Sequence, residues 1–312
     1  RYNHGGTAWL DGFEILVGGS GNDILNLSAF AVVRNITLTG VGKVDGFDLI
    51  VNNITGSFHN FNSIVVGASG SDSITGLSAA SVWRVLGKTS GTYTSTYTLT
   101  FSGIEVIAGL SASDTLSFDN VQGTVSVTLT AAGAKDGFDL TTSIFSGTFN
   151  GFNSLTGSGS VADNLTALNS VSTWTLTGDT DGTYASISRT IAFTGFEVLN
   201  SGSAVDTFHL SNTPAFTILG GAGNDRFIFA NGATLAGTID GGAGTNWLDY
   251  SLVPSKVTVN LGAIGTTLNR PAGANLPTGL KLSGGTASRT GSVTAIQNVL
   301  GSAGGGDTLI GN

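Results

Sequence analysis

Gly12-Phe13-Glu14-Ile15-Leu16 returns as Gly103-Ile104-Glu105-Val106-Ile107 and again as Gly195-Phe196-Glu197-Val198-Leu199, about 91 residues apart each time. A looser copy, Ala295-Ile296-Gln297-Asn298-Val299-Leu300, stands near the end of the chain. Each copy is followed by an aspartate: Asp23, Asp114, Asp206 and Asp307. A fixed period of this kind decides architecture before any single motif does. It divides the chain into repeats over 12–102, 103–194 and 195–294, the last divergent, with a partial fourth over 295–312. The whole of 1–312 reads as one continuous unit whose two ends share a phase.

Other landmarks keep the same period. Asp45-Gly46-Phe47-Asp48-Leu49 matches Asp136-Gly137-Phe138-Asp139-Leu140, and Trp83 with Gly91-Thr92-Tyr93 matches Trp174 with Gly182-Thr183-Tyr184. Half-way between the main copies come Asn60-Phe61-Asn62-Ser63-Ile64 and Gly151-Phe152-Asn153-Ser154-Leu155, with Asp72 and Asp163 after them. A half-repeat of about 45 residues is too short to bury a core alone and must stack on its neighbours.

Alternating apolar and Thr/Ser residues, as in Val125-Ser126-Val127-Thr128-Leu129, predict strands, and Gly, Asn, Asp and Ser between them predict turns. No long amphipathic helix is legible. Gly220-Gly221-Ala222-Gly223-Asn224-Asp225 and Gly241-Gly242-Ala243-Gly244-Thr245-Asn246 lie 21 residues apart, which gives a coil length directly. The prediction is an all-β fold, a parallel β-solenoid of about 14 coils of roughly 20–25 residues, four to each 91-residue unit, with no capping helix. A looser segment from about Gly262 to Gly291 reads as an insertion or irregular coil, not a separate domain.

Composition narrows function. Charged residues make up 10% of the chain, and the net charge is −8. The 12 Lys and Arg are scattered singly, so a nucleic-acid interface is excluded. No apolar stretch is long enough to span a membrane. Cysteine is absent, which removes disulfides and thiol catalysis, and methionine is absent, which predicts a processed chain or an internal part of a longer one. A solenoid end is an open sheet edge. Shared phase at the two ends therefore predicts end-to-end self-association or continuation.

The run Trp174-Thr175-Leu176-Thr177-Gly178, then Phe193-Thr194-Gly195-Phe196-Glu197-Val198-Leu199 and Asp206-Thr207-Phe208, resembles the repeats of giant bacterial adhesins, the filamentous-haemagglutinin-like and RTX-like surface proteins. Leu248-Asp249-Tyr250-Ser251 with Val257-Thr258-Val259-Asn260-Leu261 and Ile296-Gln297-Asn298-Val299-Leu300 resembles the regions that flank haemolysin-type calcium repeats. The resemblance implies an extracellular or cell-surface β-solenoid of bacterial origin, a structural segment of a fibre, sheath or adhesin.

Calcium is the sharpest chemical expectation. The haemolysin-type nonapeptide, Gly-Gly-x-Gly-x-Asp-x-apolar-x, is matched from Gly18 to Asn26 and from Gly220 to Ile228. Asp23 and Asp225 are therefore the candidate calcium ligands, since carboxylates and turn carbonyls supply the six to eight oxygens calcium takes. Each match stands alone in sequence, and the competing reading is that these aspartates bind backbone amides in turns. An adhesive or carbohydrate-binding module is the alternative function. A β-helix polysaccharide-active enzyme is the second alternative; it needs acids clustered outside the repeat phase, whereas most acids here keep it. No catalytic residue is assigned.

Overall fold

The computed structural model describes residues 14–67, 70–261 and 286–310. Gly12, Phe13 and most of the looser segment, 262–285, lie outside them. Among the described residues the fold is all-β. Two 14-stranded sheets face each other, the first running from Ile15–Val17 to Thr290–Thr294 and the second from Ile24–Leu27 to Asn298–Leu300. A three-stranded sheet sets Thr258–Asn260 between Thr286–Ala287 and Thr308–Ile310. Strands alternate buried and half-buried or exposed residues, as Val82-Trp83-Arg84-Val85 does, because successive side chains point to opposite faces. The inward rows of both sheets meet in one apolar core.

This is the solenoid the repeat predicts, with fourteen levels in each sheet. How the chain fills those levels differs from a simple winding. Ile15–Val17 pairs in parallel not with the next strand in sequence but with Ser57–Phe61. Between them the chain runs ahead to Asn35–Val41, turns back antiparallel through Phe47–Val51, and turns again into Ser57–Phe61. The same meander recurs in the first sheet as Ser126–Ala132, Phe138–Thr142 and Thr148–Phe152. In the second sheet it recurs as Ser81–Gly87, Ser90–Thr94 and Thr98–Ser102, and as Ser172–Leu176, Gly182–Ser186 and Arg189–Thr194.

The landmarks of the 91-residue unit are thus hairpins. Asp45-Gly46-Phe47-Asp48 is the first bend of a meander, where Gly46 takes φ +59° and a side chain would sit 2.4 Å from the carbonyl of Phe61. Trp83 lies opposite Tyr93, and Trp174 opposite Tyr184, across antiparallel pairs with ring centroids 4.6 and 4.7 Å apart. Each of the first two units holds five levels of each sheet, one more than the four coils read from its length. The alternation of apolar and polar residues has period two whether a strand runs parallel or antiparallel. That pattern carries no direction, so it predicts the strands without their reversals.

After Gly195 the winding becomes simple. Val198–Asn200, Thr217–Leu219 and Leu235–Asp240 stack in the first sheet, while Asp206–Leu210, Arg226–Phe229 and Trp247–Asp249 stack in the second, all parallel. Like residues lie over like: Phe208 over Phe227 at 5.1 Å and 15°, with Trp174 on the other side at 5.6 Å and 10°.

The looser copy at Ala295 also finds a different place. Its strand Asn298–Leu300 lies in the second sheet, whereas Ile15–Val17, Val106–Ala108 and Val198–Asn200 lie in the first. It occupies the phase of Asn60–Ile64 and Gly151–Leu155: Asn60, Gly151 and Ala295 all take positive φ (61°, 72° and 53°). The half-repeat exchanges the two sheets.

Candidate functional site

Where the chain passes from one sheet to the other, its amides leave the strand ladder and need new acceptors. The repeat aspartates supply them, in one column along each edge. Along the first edge the strand registers align Asp23 with Asn62, Ser81 with Asp114 and then Asn153, and Ser172 with Asp206, Asp225, Asn246 and Gln297. Along the second they align Arg34 with Asp72 and Glu105 and Val125 with Asp163 and Glu197, and the three-stranded sheet aligns Val257 with Asp307 in the same way. The amides of five of these aspartates, Asp23, Asp72, Asp163, Asp206 and Asp225, donate to the side chain one level on. Asp72 donates to Glu105 Oε2 at 2.9 Å, Asp163 to Glu197 Oε2 at 2.9 Å, Asp206 to Asp225 Oδ1 at 2.9 Å and Asp225 to Asn246 Oδ1 at 2.9 Å.

The columns differ in how fully each carboxylate is met. Asp163 accepts from the amides of Val125 (2.7 Å) and Ser158 (2.6 Å) and from the Ser158 hydroxyl. Asp307 accepts from the Ser302 hydroxyl and from the amides of Val257 and Ser302, which hold its carboxyl below the usual range. Asp114 has the Ser81 hydroxyl at 2.5 Å and the Ser111 amide at 2.8 Å, although burial pushes it upward. Burial likewise raises Glu105 and Glu197.

Further along the first edge the donors thin out. Asp206 keeps the Ser172 hydroxyl on Oδ1 at 2.5 Å, but its Oδ2 is buried with no partner. Burial raises its pKa to about 6. Asp225 accepts only the Asp206 amide on Oδ1, and its buried Oδ2 also has no partner. Burial, then the nearby Asp206 charge, raises it to about 7.

The two candidate calcium residues lie in this first-edge column but at opposite parts of it, and the structure does not bring them together. Asp225 is fully buried with both oxygens inside the corner. Asp23 is half-buried; its amide donates to Asn62 Oδ1 at 3.2 Å and its Oδ2 has no partner. In the same turn the Gly21 amide donates to Asp45 Oδ2 at 2.9 Å, while Asp45 Oδ1 has no partner. Asp45 belongs to the Asp-Gly-Phe-Asp landmark, and nothing in its spacing from Asp23 connects the two. The Gly-rich phrases do not stand alone in space. Ala222 donates to Gly202 O at 2.9 Å and Ala243 to Gly221 O at 2.7 Å, so three successive coils stack at their turns. At Gly242 (φ +72°) a side chain would lie 1.9 Å from Gly221 O. Among the described residues no group of three or more His, Cys, Asp or Glu is placed to hold a metal.

The remaining candidates resolve into local structure. Trp83 and Trp174 are fully buried and offer no face to a sugar. Phe47 and Phe138 anchor the hairpin bends inward, and Asp48 and Asp139 accept the amides of Asn60 and Gly151. His59 sits 3.0 Å from Asp48. Arg84 pairs with Asp119 and Arg226 with Asp249, on separate levels.

No family model matches the chain, and no curated protein matches it.

Proposed function

We propose that this chain is a structural segment of an extracellular bacterial surface fibre, sheath or giant adhesin, continued end to end by copies of itself or by more of the same solenoid. The observation that supports this reading is the unbroken stacking of both sheets through fourteen levels, with corner amides of one level bound to Glu105, Glu197 and Asp225 of the next. Side chains committed to such rungs serve rigidity. We read the chain as non-catalytic for the same reason. Electron micrographs of the purified chain, with fibre diffraction, test the proposal. Filaments with an axial spacing of about 4.8 Å are expected. Short rods that stay monodisperse at every concentration would remove self-stacking.

A second reading, a calcium-loaded adhesive or carbohydrate-binding module, is favoured by one observation: Asp23 and Asp45 each keep a carboxylate oxygen without a partner around one Gly-rich turn. Calcium would take those two carboxylates. Added calcium should then raise the melting temperature, and Asp23→Asn should abolish the rise. An unchanged melting temperature across a chelator titration would set calcium aside.

A further inference from the structure

One corner of the second edge recurs at Asp72, Asp163 and Asp307, each standing just before a strand: Ser73–Thr75, Asn164–Thr166 and Thr308–Ile310. Each accepts on Oδ1 the amide of the level before, from Arg34, Val125 and Val257, at 2.5, 2.7 and 2.8 Å. Asp163 and Asp307 also accept on Oδ2 the amides of Ser158 and Ser302, at 2.6 and 2.7 Å. Toward the next level the three part. Asp72 N–H donates to Glu105 Oε2 and Asp163 N–H to Glu197 Oε2, both at 2.9 Å. The carbonyl of Asp72 accepts the amides of Glu105 and Val106, and that of Asp163 the amides of Glu197 and Val198. Among the described residues no level follows Asp307, and its N–H and C=O meet no such groups.

The matching half of that corner stands at the opposite end of the solenoid. Glu14 precedes Ile15–Val17 as Glu105 precedes Val106–Ala108 and Glu197 precedes Val198–Asn200. The carbonyl of Glu14 accepts the Ser57 amide at 3.0 Å, as that of Glu105 accepts the Thr148 amide at 2.9 Å. Among the described residues the Glu14 carboxylate has no partner, and Ile15–Val17 is paired along one side only, with Ser57–Phe61. Thr308–Ile310 is likewise paired there along one side only, with Thr258–Asn260. The inward rows agree. Ile107 pairs with Ile74 and Leu199 with Leu165, all four no more than 1% exposed, whereas Leu309 is 59% exposed and Leu16 is partly buried.

We propose that a second copy of this chain docks head to tail on the first, laying its Ile15–Val17 in parallel on the free edge of Thr308–Ile310, Ile15 against Thr308, with its Glu14 accepting the amide of Asp307. The proposal rests on the end-to-end reading above and fixes the register of the joint. That register is the one Val106 keeps with Ser73 and Val198 with Asn164. It sets Leu16 beside Leu309 and closes the open inward row. It gives the Asp307 N–H an anionic acceptor, a stronger pairing than one between neutral groups. Unpaired edge strands are templates for such addition.

The chain has no cysteine, so introduced ones report the joint alone. Ile15→Cys and Thr308→Cys, both at exposed positions, are made as separate chains and mixed under mild oxidation. Neighbouring strands lie about 4.8 Å apart, within the span that a disulfide bridges. A covalent dimer is expected from the mixture and from neither chain alone. Ile15→Cys mixed with Ile310→Cys, two residues out of register, should give far less. Glu14→Ala should weaken association about tenfold in sedimentation, while the melting temperature of the dilute chain stays unchanged. Glu14→Gln should keep most of the affinity, since Gln297 Oε1 accepts the Asn246 amide in the same way at 2.7 Å. Oligomers that form without the crosslink between positions 15 and 308, or association indifferent to Glu14→Ala, would overturn this joint and leave end-to-end stacking standing. Chains that stay single at every concentration would overturn both.

Discussion

The solenoid is built in two ways on one cross-section. From residue 14 to about 194 the chain overshoots and returns in four meanders; from 195 to 250 it winds once per level. In the meandering part the Trp–Tyr partners come from the same excursion and meet at a steep angle, Trp83 with Tyr93 at 61° and Trp174 with Tyr184 at 60°. In the wound part aromatic partners come from successive coils and stack nearly flat, as Phe208 does on Phe227 at 15°. The corners follow the same division. Asp114 and Asp163 receive serine hydroxyls and turn amides, whereas Asp225, behind its Gly-Gly-Ala-Gly turn, receives one amide. Glycine lets the coils approach closely and removes the side chains that would have satisfied the acid. Tight stacking and full hydrogen bonding are here alternatives.

The largest expected effect tests the seam. Trp174 belongs to a meander yet stacks on Phe208 of the wound part. Trp174→Ala should cost about 3–5 kcal/mol by denaturant unfolding, as should Trp83→Ala. The two should differ in reach: hydrogen exchange should quicken on both sides of residue 195 for Trp174→Ala, and on one side for Trp83→Ala. Equal spread would erase the distinction between the regions.

Next comes Gly242→Ala, which pairs a left-handed backbone with a carbonyl 1.9 Å from the added carbon. A loss of about 1–3 kcal/mol is expected by thermal unfolding. Gly123→Ala, at φ +98° but with nothing within 4 Å, should cost less.

Ser172→Ala removes the one hydroxyl on Asp206 Oδ1. A loss on the order of 1–3 kcal/mol is expected. Without that donor the Asp206 carboxyl rises further, so the loss should be larger at pH 8 than at pH 5, read from melting curves at the two values. Ser158→Ala should show a weaker pH dependence, because Asp163 retains two amides.

The smallest effect belongs to the surface. Arg84→Ala breaks an ion pair with Asp119 that is more than a third exposed. It should change stability by no more than about 1 kcal/mol.

Much of this was legible in the chain. The 91-residue period gave the stacked architecture, and the phase of Asp23, Asp72, Asp114, Asp163 and Asp206 marked the corners. The two edges differ in their partner residues, which only the strand registers separate: Glu105 and Glu197 stand on one, Asn62, Asn153 and Gln297 on the other. Strand direction was hidden, because Asp-Gly-Phe-Asp serves a hairpin bend with the same residues that serve a corner. The inward aim of Asp225 was hidden too. A glycine-rich loop ending in aspartate reads alike whether its carboxylate faces solvent or core, and only the coil-to-coil bonds of Gly202, Gly221 and Ala243 decide it.

The overshoot has a mechanical meaning. A singly wound rod can be unreeled from its tip, one turn at a time, like thread from a bobbin. Here Ser57–Phe61 lies beside Ile15–Val17 but is anchored through Phe47–Val51 to Asn35–Val41, which itself grips Ser73–Thr75. Peeling away the outermost strand frees nothing; the following three must let go as a block. Such a rod is knitted, and a tug at its end is shared across several rows before any stitch runs.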